Sequence, residues 1–121
     1  MRGLGLFYIF QAFILSQSLE FQNCQEKSIP GQPLWFNCQT DEPIEKCTIT
    51  QKEYGNGHPI FECMADLEEG EHWCYFRNLR VIITPNSCEV IRYYMNIYDQ
   101  GEWYLVAEGV DSNGLIQVCT F

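Results

Sequence analysis

The sequence predicts an all-β domain built as a sandwich of two antiparallel sheets, and three observations carry that expectation. Apolar residues mostly alternate with polar ones instead of recurring at helical spacing. The apolar segments are rich in β-branched and aromatic types, and clusters of Pro, Gly, Asn, Asp and Ser interrupt them at short intervals. Leu34, Phe36 and Cys38 alternate with Trp35 and Asn37 and so read as a strand. Cys47 and Ile49 repeat the pattern after the turn Thr40-Asp41-Glu42-Pro43. Residues 80–84 are a β-branched run closed by Pro85-Asn86-Ser87, and a second strand starts at Cys88 and returns through Val90 to Tyr94. Residues 103–108 and 115–121 flank the polar segment 109–114, which makes the last two strands a hairpin.

Residues 1–18 read as a separate object. Arg2 supplies a short basic start, residues 4–15 are almost wholly apolar, and Ser16-Gln17-Ser18 places small residues before a cut ahead of Leu19. An apolar helix over residues 4–15 would reach only about 18 Å, short of a ~30 Å hydrocarbon core, so a cleaved secretory signal is expected and not an anchor. The longest later apolar run, residues 103–107, is too short to span a bilayer. Residues 19–121 contain no repeat, low-complexity tract or linker and form one domain. The chain carries 16 acidic and 7 basic side chains, a formal charge of −9, and losing Arg2 enlarges the excess. Such a field repels phosphate, which excludes nucleic acid and anionic membrane surfaces as partners.

All 7 cysteines lie beyond the leader. In a small secreted domain they read as a disulfide framework, and the odd number leaves one thiol over or available to another chain, so a homodimer is compatible with it. Cys63, His72 and Cys74 are the nearest thing to a zinc cluster, but there is no CxxC pair and His58 is the only further imidazole. The acidic residues Glu62, Asp66, Glu68, Glu69 and Glu71 lack the alternating spacing of a calcium loop and read as a solvated loop. Neither histidine lies in a nucleophile motif, and no GxSxG or HExxH run occurs. The sequence therefore predicts no catalytic residue, no metal and no cofactor.

The stretch Asp99-Gln100-Gly101-Glu102-Trp103-Tyr104-Leu105 resembles the Asp-x-Gly-x-Tyr-x-Cys signature of immunoglobulin-like domains, with Trp at the tyrosine position and Leu at the cysteine position. Cys38 stands where that family has its second-strand cysteine, and residues 80–84 resemble the arginine-led fourth strand of variable-type domains. Val90 and Met95 occupy apolar core positions relative to Asp99. Three departures accompany the likeness. Leu105 cannot make the usual bond to Cys38, Cys47 and Ile49 replace the third-strand Trp, and Arg92 stands where an apolar residue is usual. Cys47 on the third strand with Cys88 before the fifth is similar to secreted and surface immunoglobulin-like proteins of arthropods.

The resemblance implies a disulfide pattern. Cys47 with Cys88 would tie the two sheets, and Cys24 could reach Cys119, because first and last strands of such a sandwich often run side by side. Cys63 and Cys74 can close a local hairpin around the turn-rich segment 66–70. Cys38 is then the leftover thiol, packed as a small hydrophobe against Leu105; the alternative pairs Cys38 with Cys119 and frees Cys24. The resemblance also implies an ion pair between Arg80 and Asp99 at the base of the sandwich.

Alternation places Trp103, Leu105 and Ala107 inward and Tyr104, Val106 and Glu108 outward, on the sheet that variable-type domains use for pairing. Tyr104 and Val106, with the hairpin-tip residues Val110, Asp111, Ser112 and Asn113, are the candidate partner-binding residues. No Asn-x-Ser/Thr acceptor exists to place a glycan over them. Two functional readings follow: a secreted, non-enzymatic immunoglobulin-like domain that binds an extracellular protein, or a cysteine-rich secreted effector or inhibitor of another fold.

Overall fold

The computed structural model describes residues 19–27, 33–93 and 97–120. The expected leader, residues 1–18, lies outside the described residues, as do Tyr94 and Met95. The described residues form nine strands: β1 (Phe21–Lys27), β2 (Leu34–Thr40), β3 (Lys46–Lys52), β4 (Pro59–Asp66), β5 (Glu71–Cys74), β6 (Leu79–Thr84), β7 (Ser87–Arg92), β8 (Glu102–Glu108) and β9 (Asn113–Thr120). They make two antiparallel sheets, a five-stranded one in the order β1-β2-β7-β6-β5 and a four-stranded one in the order β4-β3-β8-β9. The sandwich expected from alternation is the fold. Among the described residues no helix is long and apolar enough to cross a membrane.

Period-two burial explains the strands. On β2, Leu34, Phe36 and Cys38 face in. Leu79, Val81 and Ile83 do so on β6, Cys88 and Val90 on β7, and Trp103, Leu105 and Ala107 on β8. Cys47, Ile49 and Gln51 of β3 lie opposite Ala107, Leu105 and Trp103, so the two central strands of the smaller sheet present one continuous inner face. Most of these side chains are wholly removed from water, and each large apolar one contributes roughly 1.5–3 kcal/mol by its burial.

Among the described residues there are three disulfides, Cys24–Cys38, Cys47–Cys88 and Cys63–Cys74. They suit an oxidising compartment. Cys47–Cys88 joins β3 to β7 across the sandwich, as expected. Cys63–Cys74 was expected to close a local hairpin, but β4 and β5 belong to different sheets, so this bond is a second staple between the layers. The expected Cys24–Cys119 pair and the leftover Cys38 are both corrected, because Cys24 bonds Cys38 on the neighbouring strand.

The cause is a bulge. Gln22 lies opposite Gln39 and Gln25 opposite Asn37, so two residues of β1, Asn23 and Cys24, share the place facing Cys38. Asn23 takes a left-handed φ of 53°, which Asn tolerates better than most residues. Strict alternation from Phe21 would have turned Cys24 to the outer face; the extra residue returns it to the side of Cys38. Cys119 sits on β9, opposite Trp103 of β8, in the other sheet.

Candidate functional site

The outer face of the four-stranded sheet carries the residues expected to bind a partner. Val106 lies opposite Thr48 on one side and Leu115 on the other, and Thr48 lies opposite Met64, so one row, Met64–Thr48–Val106–Leu115, crosses all four strands. The next row runs from Glu62 through Thr50 to Tyr104. Met64, Leu115 and Ile60 are exposed, while Tyr104 and Val106 are half-buried among their neighbours. The Tyr104 hydroxyl donates to Glu102 Oε1 at 3.3 Å, and the Lys52 ammonium stands 4.6 Å from the ring centroid. Partial burial and, next, the Glu102 carboxylate push the Tyr104 phenol above the usual tyrosine range. The face thus has an apolar centre, with Lys52, Glu62 and Glu102 along its border.

The hairpin tip divides. Val110, Asp111 and Asn113 are exposed, but Ser112 is only 8% exposed and corrects the expectation for that residue. Its hydroxyl donates to Glu42 Oε1 at 3.1 Å and its carbonyl accepts from the Gly109 amide at 2.7 Å, so Ser112 shapes the tip and does not offer contacts. Gly114 must lack a side chain, since a Cβ there would lie 2.6 Å from the Leu19 carbonyl oxygen, where Leu19 tucks under the hairpin. Ile60, Met64 and Leu115 were missed as contact candidates. Their signal was legible, because Ile60 and Met64 alternate with Phe61, Cys63 and Ala65.

A second feature lies at the end of the sandwich where two short helical turns, Tyr75–Arg77 and Ile97–Asp99, come together. Asp99 is fully buried. Arg92 grips both its oxygens, Nε to Oδ1 at 3.1 Å and Nη2 to Oδ2 at 3.2 Å, and also donates to the Arg77 carbonyl. Arg77 Nη1 reaches Asp99 Oδ1 at 3.3 Å and the Tyr98 carbonyl at 2.8 Å. Gln51 of β3 donates to the carbonyls of Tyr98 and Gln100, and the Trp103 indole of β8 donates to the carbonyl of Asp99, so with Arg92 of β7 the turn is anchored from both sheets. Gly101 follows at φ 130°, where a Cβ would stand 2.3 Å from the Lys52 carbonyl oxygen.

The expected Arg80–Asp99 pair is therefore corrected. With Leu79, Val81 and Ile83 facing the core, Arg80 points to the outer face of the five-stranded sheet. It meets Glu71 there at 3.7 Å and lies over the Trp73 ring. The base of the sandwich keeps an ion pair, but Arg92 and Arg77 supply its cations. Arg92 had stood out in the sequence as a charge at an apolar position, and that misfit was the available signal for a buried pair.

Among the described residues no group of three or more His, Cys, Asp or Glu side chains is placed to hold a metal ion. No protein-family model matches the chain, and comparison with curated proteins gives no match.

Proposed function

We propose that the chain is a secreted immunoglobulin-like domain of variable type that binds an extracellular protein through the outer face of β4-β3-β8-β9 and carries out no chemistry. The strand order supports the family reading. Variable-type domains have nine strands, with the first, second, seventh and sixth in one sheet and the third, fourth, fifth, eighth and ninth in the other. Here β1, β2, β7 and β6 share one sheet and β9, β8, β3 and β4 the other. One departure is that β5 pairs with β6 and joins the larger sheet. Cys47–Cys88 ties the layers between β3 and β7, with Leu105 buried where the family's second cysteine would stand.

The observation that carries the binding reading is the apolar row Met64–Thr48–Val106–Leu115 beside Tyr104, bordered by Lys52, Glu62, Glu102 and Glu108. Aromatic residues and Met are favoured in interface centres, and charges at rims. The test uses residues 19–121 as secreted protein, with sedimentation to detect a second copy as partner and capture from extracellular fluid to isolate any other. Tyr104→Ala and Val106→Ser are expected to weaken binding about thirtyfold, the effect of losing about 2 kcal/mol at an interface centre. Substitutions at Ile91 and Tyr93, toward the outer side of the five-stranded sheet, are expected to leave it unchanged. Greater loss from these controls at equal thermal stability would place the interface on the other sheet.

A further inference from the structure

Phe76, Arg77, Arg92 and Tyr98 line a cleft of about 370 Å³ at the end of the sandwich, away from the sheet face discussed above. Its rim is aromatic and open to solvent, with Phe76 89% and Tyr98 72% exposed. Its wall is cationic. Arg92 already engages both oxygens of Asp99, so Arg77 reaches that carboxylate through a single 3.3 Å hydrogen bond. Two guanidiniums thus share one carboxylate.

Arg77 is only 9% exposed, and its Nε has no hydrogen-bond partner among the described residues. The rings of Phe61 and Phe76, at 5.0 and 5.9 Å from its guanidinium carbon, attract the charge without neutralising it. A buried cation that shares its counter-ion is costly, and an anion brought into the cleft offsets that cost. The volume equals that of about a dozen liquid waters and lies in the lower range of small-molecule pockets, which combine apolar walls with a few polar groups.

We propose that this cleft binds a small aromatic carboxylate, its ring held between Phe76 and Tyr98 and its carboxylate on Arg77. The chemistry follows from the lining: planar apolar walls for the ring, and a forked cation for the acid group. This inference is independent of the proposed sheet-face interface.

The experiment titrates residues 19–121 with naphthoate and with its neutral isostere naphthamide, following ligand and protein resonances. Naphthoate is expected to bind saturably and naphthamide about tenfold more weakly, since a hydrogen bond to a charged group is worth about that factor. Phe76→Ala and Tyr98→Ala remove exposed rings, so they are expected to fold normally and weaken naphthoate about fivefold each, in line with an aromatic contact. Arg77→Gln is expected to abolish the preference for naphthoate over naphthamide, and Tyr104→Ala to change nothing. Equal affinity for the two probes, indifference to both ring deletions, or no saturable binding of naphthoate would overturn the proposal.

Discussion

Asp99→Asn keeps the shape of the side chain and one acceptor oxygen but deletes the negative charge facing Arg92 and Arg77. Asp99 is fully buried, and the side chains of Arg92 and Arg77 are 5% and 10% exposed, so water cannot replace the lost carboxylate. Removing one partner of a buried pair leaves an uncompensated charge and costs about 3–5 kcal/mol. Against a typical domain stability of about 5–15 kcal/mol, this is a large fraction. Because about 1 kcal/mol moves Tm by roughly 4–8 °C in a domain of this size, a fall on the order of 15–30 °C is expected. Urea denaturation reads the loss as a lower midpoint at unchanged slope. Arg80→Met is the informative control: its 3.7 Å contact to Glu71 is partly solvated, so the change should cost no more than about 1 kcal/mol. A loss below about 1 kcal/mol for Asp99→Asn, or an equal loss for Arg80→Met, would refute the assignment of the buried cations.

Three further outcomes are expected. Denatured, unreduced protein should carry one free thiol, located at Cys119 by peptide mapping, because the other six of the 7 cysteines are paired; alkylation of Cys24 or Cys38 before reduction would contradict this. Deleting Cys47–Cys88, which closes a separation of 41, should cost about 4 kcal/mol, whereas deleting Cys63–Cys74, with a separation of 11, should cost about 3 kcal/mol. Tyrosinate absorbance should show Tyr104 ionising above the usual tyrosine range, and Glu102→Gln should lower its titration. Since the folded value is raised, any stability that Tyr104 contributes is complete below the unfolded pKa and is lost as pH rises through the folded one.

The strands around Phe36, Cys47, Val81, Val90 and Leu105 were legible because each alternates apolar with polar residues over a pleat whose two faces differ in solvent. The outward placement of Tyr104 and Val106 followed from the same alternation; the expected Arg80–Asp99 pair came from the family resemblance, and alternation of Arg80 with the buried Leu79 and Val81 puts it on the other face. Ser112 was harder to place, because a polar residue at a hairpin tip can serve the turn or face a partner with the same sequence pattern. Its bond to Glu42, 70 residues away, decides the matter.

Period-two patterning in the sequence was enough for the all-β class and the inner face of each central strand, whereas the Cys47–Cys88 staple was expected only from the family resemblance. Tertiary structure decided which partner each of the remaining charges and cysteines met. The bulge at Asn23 turns Cys24 toward Cys38, and the meeting of two short turns brings Arg77 and Arg92 onto Asp99. The physical reason is common to both. A one-residue slip reverses every side chain beyond it, and a bond between residues distant in the chain depends on a closed fold, so neither leaves a local periodic trace in the sequence.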